Sequence, residues 1–305
     1  MKHISEYFKI NIIQTNLEFV DINLDSDNLL FFDPRLIEIG DSVVALEMQK
    51  RLQKFWSELI RAVRLKDSKI LKKLLSGLKE PSETGLGYSK GKHYGNSVGN
   101  KLKPKIIKAI MKNKAIMTGL LSHFSDAELF IEDVGCDRIS DVTTKIIKEV
   151  LIDFTQKQCK LLSIPVSSVV QDDIFNYNTL EWDTRIVDLP VYSGKPIIFV
   201  PKEFMRLENS ATSNLGCIYR FALRKFIQYD LSMLQNVTTN EDGRFLLKDI
   251  KIEYPLSKGN LISWCLDYPT LLVDFKSEKL NDKIKPLSDE DLMRVIYLDS
   301  YSEAV

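Results

Sequence analysis

Apolar positions along the chain recur at two periods, and the two divide it into helical and extended stretches. From Ser42 to about Lys66, the residues Met48, Leu52, Phe55, Trp56, Leu59, Ile60 and Val63 keep helical spacing. With Asp41 or Ser42 as cap they predict a long amphipathic helix. A shorter helix is expected over 68–78, ended by Gly77 and Pro81. Val142, Ile146, Ile147, Val150, Leu151 and Phe154 predict a second long helix, stopped by Pro165. Between the two, Leu129, Phe130, Ile131 and Val134 form a run too continuous for a half-solvated strand. It predicts a strand over 127–134 covered on both faces, with Gly135 breaking the run before the helix.

The remaining stretches read more weakly. Residues 17–23 and 29–39 are expected as extended pieces around a turn at Asp25, Ser26, Asp27 and Asn28. Asp33, before Pro34, is either a turn residue or a carboxylate projecting from a strand end. A short helix is expected over 106–122, and residues 166–182 are polar and mixed. Ser193 and Gly194 separate two apolar runs, predicting a hairpin of 185–191 with 195–200, and Pro190 and Pro196 place at least one of its strands at an edge. Residues 216–229 read as a helix and 245–254 as a strand. Short helices follow from Leu261, one near 289–296 capped by Ser288. The expected class is α/β, with mixed α+β open: a central sheet around 127–134 flanked by long amphipathic helices. The expected regions are 1–125 and 126–305, or one integrated domain.

Composition narrows the class without naming an activity. The 44% hydrophobic and 28% charged content is that of a water-soluble globular protein. No apolar run approaches the ~20 residues of a membrane helix, and the first residues lack a secretory apolar segment, so a cytoplasmic location without membrane contact is expected. Cys136, Cys159, Cys217 and Cys265 lie far apart with no CxxC, which predicts reduced, mostly buried thiols rather than a zinc site or disulfides. The formal charge of zero hides a partition. Residues 50–114 hold 18 Lys or Arg against four acids, a balance of +14, between acidic blocks of −6 (1–49) and −7 (115–190). Such a block is either a polyanion-binding face or a solvated surface whose acidic partners come from elsewhere in the fold.

Part of that block is unusual in kind. Residues 84–105 carry Gly85, Gly87, Gly91, Gly95 and Gly99 interleaved with Tyr88, Lys90, Lys92, His93, Tyr94, Lys101, Lys103 and Lys105. Glycines let backbone N–H groups approach an anion, lysines neutralise it, and tyrosines stack on bases or sugars. A linker or lid is the other reading.

Acids gather at the predicted strand–helix junction: Glu132, Asp133, Asp137 and Asp141. Asp137 and Asp141 are four apart, so on a helix they share a face. An all-oxygen set suits Mg²⁺ or Mn²⁺, which bind through one or two carboxylates together with phosphate oxygens. Arg138 and Lys202 are candidates to neutralise a phosphate. The structural alternative is helix capping and dipole stabilisation, which leaves Glu132 and Asp133 unexplained. Asp249-Ile250-Lys251 matches an acid-x-Lys pattern, but three letters recur by chance, and His3, His93 and His123 are isolated.

The segments ETGLGYSKGK and GCDRISDVTTKII resemble stretches of uncharacterised bacterial proteins of mobile-element and antiphage defence loci. The resemblance covers these two segments and carries over no catalytic residue. It implies nucleic acid, a phage component or a protein of the same defence system as partner. The leading expectation is therefore a divalent-metal nucleic-acid phosphodiesterase. Its rivals are a non-catalytic binding module and an enzyme acting on a nucleotide or other phosphorylated small molecule.

Overall fold

The computed structural model describes residues 2–87, 112–132, 134–208, 215–280 and 284–298. Two long helices organise them. After the short helices α1 (Ile4–Tyr7) and α2 (Pro34–Ile39) comes α3 (Val43–Arg64), capped by the Ser42 hydroxyl, which accepts from Ala45 N as the sequence predicts. Its buried stripe includes Met48, Leu52, Phe55, Trp56, Leu59 and Val63, each worth about 1.5–3 kcal/mol of transfer free energy at full burial. Helix α4 (Ser68–Leu75) packs on α3, and α5 (Lys114–Thr118) is all that the described residues show of the helix expected over 106–122.

The second long helix, α7 (Cys136–Leu161), packs against α3 on one side and against a hairpin on another. That hairpin joins β2 (Ser167–Asn176) to β3 (Glu181–Leu189), antiparallel, with a register shift between Gln171 and Ile174. The class is α+β, with the strand content in three small antiparallel pairs: β2–β3, β4 (Val191–Tyr192) with β5 (Lys195–Pro196), and β1 (Phe31–Phe32) with β6 (Met205–Arg206). The C-terminal part is helical: α8 (Leu215–Lys225), α9 (Leu231–Leu234), α10 (Leu247–Glu253), α11 (Lys258–Asp267), α12 (Leu271–Phe275) and α13 (Asp289–Met293). Ser288 caps α13, as expected. One buried cluster runs from Ile4 to Ile296, and the segment after α13 meets the N-terminal region where Tyr297 donates to Asp21 at 2.6 Å.

Four expectations are corrected. Residues 127–134 are not a strand: α6 (Ala127–Phe130) is one helical turn, followed by an irregular return to α7. The run is as buried as expected, but its carbonyls find side chains instead of a sheet. Asn113 Nδ2 donates to Phe130 O (2.6 Å), and Lys258 Nζ donates to Ile131 O (2.6 Å) and Val134 O (2.9 Å). Residues 245–254 contain helix α10, so Asp249 and Lys251 do not lie on a strand. The extended piece at 17–23 shrinks to isolated bridges of Phe19 with Pro201 and Asn23 with His3, and that at 29–39 to β1, because Asp33 caps α2 by accepting from Arg35 N. The polar stretch 166–182 supplies most of the larger hairpin, while the expected partnership of 185–191 with 195–200 survives only as β4–β5.

Part of the charge partition in sequence cancels in space among the described residues. Arg51 pairs with Glu47 and Glu149, Arg61 and Lys54 with Glu58, Lys73 with Glu181, and Lys79 with Asp173. The acidic block 115–190 thus supplies partners to Arg51, Lys73 and Lys79, which is the solvated-surface reading for these residues.

Candidate functional site

Helix α7 begins where the sequence places it, with Gly135 as the residue before its first turn, so Asp137 and Asp141 lie one turn apart on one face. The structure adds acids from three loops that periodicity does not connect. Glu80, after α4, Asp27, in the N-terminal turn, and Glu208, after β6, all act electrostatically on Asp137. Burial first, then Glu80, push the Asp137 carboxyl above its ordinary range, with Arg138 opposing. For Asp141 burial, then Asp137 and Glu80, push the carboxyl up to about 8, with Lys145 opposing and Asp27 reinforcing.

The same face continues into two buried lysines. Lys145 follows Asp141 by four residues, and its ammonium is held down from its ordinary range, chiefly by burial, with Glu83 opposing. Lys148 Nζ donates to Glu83 Oε1 (2.6 Å) and to Asp172 O (2.9 Å), while Lys145 Nζ lies 3.9 Å from Glu83 Oε2. Carboxyls pushed up beside an amine pushed down are the marks of a candidate acid–base site. Sequence reasoning missed Lys145, Glu80 and Asp27. Helical spacing from Asp141 was the one signal available for Lys145, and loops that meet only in the fold left none for the others.

The glycine- and lysine-rich segment starts at this face. Gly85 and Gly87 both have positive φ (62° and 125°), which an L side chain rarely adopts. Gly85 O accepts from Asn28 N and Asn28 Nδ2, both at 2.9 Å, and Gly87 N donates to Asn28 O at 3.0 Å, so the segment is docked beside Asp27. A Cβ on Gly87 would stand 3.5 Å from Asp137 Oδ1. The two features read separately from sequence therefore touch.

Other predicted site residues fare differently. Tyr88, Lys90, Gly91, Lys92, His93, Tyr94, Lys101, Lys103 and Asp133 lie outside the described residues. Glu132 is exposed in the turn after α6. Lys202 is not brought to the carboxylates: its ammonium donates to Thr15 O (2.9 Å) and Asp289 (3.0 Å). Among the described residues no group of three or more His, Cys, Asp and Glu side chains is placed to hold a metal ion. The cysteines are free, with Cys136, Cys159 and Cys265 buried. No described helix is long and apolar enough to cross a membrane.

No curated protein and no solved structure matches the chain. A family model matches residues 9–213, a span that holds every junction residue from Asp27 to Glu208 and leaves the helices from α8 onward outside. The chain belongs to that family, described as a domain of unknown function, DUF8370.

Proposed function

We propose that the chain is a divalent-metal-dependent phosphodiesterase acting on nucleic acid, with its site on the Asp137–Asp141–Lys145 face of α7. The observation that supports it is the conjunction of Asp141, pushed up to about 8 by burial and neighbouring acids, with Lys145, pushed down, at the root of the Gly/Lys-rich segment. Carboxylates that repel one another in a half-buried site are relieved by a cation. Two of them suffice for Mg²⁺ or Mn²⁺ when phosphate oxygens and water complete the shell. Asp137 and Asp141 are the ligands in this reading. Such a cation supplies charge neutralisation at the phosphate and a more acidic bound water.

The chain's own groups do the rest. Lys145, its ammonium held below its ordinary range chiefly by burial, is the base that accepts the proton of the attacking water. Arg138, beside Asp137, offsets charge on the phosphate, and the lysines of 88–105 hold the flanking backbone. A setting in bacterial defence is the one implied by the two resembling segments.

The test is incubation of the purified chain with single- and double-stranded DNA and RNA, with Mg²⁺, Mn²⁺ or EDTA, reading retardation and cleavage on one gel. Cleavage that needs the cation and drops at least about 100-fold in both Asp141→Asn and Lys145→Met supports the proposal, since a group aimed at the reacting phosphate typically contributes at least that much. Retardation that falls steeply with salt, without cleavage, marks a binding module instead.

A further inference from the structure

The face of α3 turned away from the carboxylate junction lines a cavity of about 650 Å³, within the usual range for small-molecule sites. Its apolar walls are Leu52, Trp56 and Ile60 of α3, Pro34 and Ile37 of α2, and Phe124, whose ring meets Trp56 edge-on at 5.3 Å. The two ends differ in charge. At the start of α3, Glu38 is engaged by the His123 ring through Nδ1 and by the Ser125 hydroxyl at 2.7 Å. At the far end stand Arg61 and Arg64. Glu58 holds Arg61 at 2.6 Å. Arg64 gives its Nε–H to Ile116 O at 3.2 Å, and no carboxylate among the described residues pairs with it.

We infer that this cavity binds a long-chain carboxylate, its head on Arg64 and its chain along α3 toward Ile37. Shape, satisfaction and charge each narrow the choice. The lining residues of α3 run from Gln49 to Arg64, about 22.5 Å at 1.5 Å per residue, so 650 Å³ leaves a mean section of about 29 Å², too narrow for a helix of about 10 Å diameter. An extended peptide would meet mainly apolar walls, which leave its backbone N–H and C=O groups without partners. A neutral chain would leave Arg64 unmatched, whereas a carboxylate takes two of its remaining N–H groups as a fork. This site and the α7 site share no residue, so either proposal can fail without the other.

The test is calorimetric titration of the full chain with decanoate, decanol and decyltrimethylammonium, each below its aggregation concentration. Saturable one-to-one binding of decanoate is expected, at least about tenfold tighter than that of either counterpart, as one charge-assisted hydrogen-bonded pair implies. Arg64→Gln, at an exposed position, is expected to weaken decanoate about tenfold and leave decanol unchanged. Ser57→Phe, which fills the cavity from its exposed rim, weakens both. Thermal melting confirms that both variants fold. Absent or non-saturable binding, equal affinity for the three probes, or decanoate binding untouched by Arg64→Gln overturns the assignment.

Discussion

Two stretches of the same helix handle buried charge in opposite ways. In the middle of α7, Glu149 lies between Arg51 (2.7 Å) and Arg185 (2.6 Å), and Lys148 meets Glu83. There the carboxyls of Glu149 and Glu83 are held below their ordinary range, their cationic partners outweighing burial. Two to three turns earlier, Asp137 and Asp141 are pushed above it, both by burial and Glu80, and Asp141 also by Asp137. Burial is similar in kind at both places; the supply of opposite charge is not. The balanced region is architecture, joining α3, α7 and the β2–β3 hairpin. The unbalanced one holds free energy that folding alone does not recover, and that a bound cation would.

Breaking the balanced region should give the largest change in stability. Glu83→Gln removes the carboxylate that Lys148 meets at 2.6 Å and Lys145 at 3.9 Å, both amines being nearly inaccessible. Loss of one partner from a buried pair costs about 3–5 kcal/mol, and a drop in denaturation midpoint of that size is expected in urea. A change below about 1 kcal/mol would show that water already reaches these amines, and the contrast with the junction would weaken.

Removing a charge from the unbalanced region should act in the opposite direction. The Asp141 carboxyl is raised from 3.8 to about 8, so the folded chain holds a proton that the unfolded chain has released. Its contribution is fully present below about pH 4 and lost as pH rises through about 8. Asp141→Asn lacks this loss, so without added cation it should melt about 2–4 °C above the parent at pH 9 and close to it at pH 4. Glu83 and Glu149, depressed, act at the other limb, where their contribution disappears as pH falls below the carboxylate range. Melting curves from pH 3 to 9 separate the two. If Asp141→Asn destabilises at pH 9, the repulsion inferred at the junction is absent.

How far these regions were legible in sequence follows from how local their causes are. Helices α3 and α7, the Ser42 and Ser288 caps and the Asp137–Asp141 pairing were readable because each depends on residues three or four apart. The false strand at 127–134 came from the same logic: a wholly buried run has no polar face to reveal its period, and the groups that satisfy its carbonyls, Asn113 and Lys258, lie 17 and 124–127 residues away. The hairpin was missed because β2 exposes most of one face and carries Gln171, Asp172 and Asp173 at its irregularity. Charge blocks left two readings open for the same reason, since the partners of Arg51, Lys73 and Lys79 are on α7 and the hairpin. The junction was half legible: its α7 acids showed, but Asp27, Glu80 and Glu208 arrive by tertiary folding.

The smallest effect should come from Lys202, which sequence reasoning placed with the phosphate and the structure places beside α13. Its ammonium meets Thr15 O and Asp289 at a partly exposed site, where an ion pair contributes about 0–1 kcal/mol. Lys202→Met should lower the melting temperature by no more than about 2 °C and leave nucleic-acid retardation and any cation-dependent cleavage within about twofold. Lys145→Met removes the same kind of side chain from the α7 face and should lower cleavage at least about 100-fold, so the pair of variants tests position rather than residue type. A loss of cleavage in Lys202→Met approaching that of Lys145→Met would return Lys202 to the site.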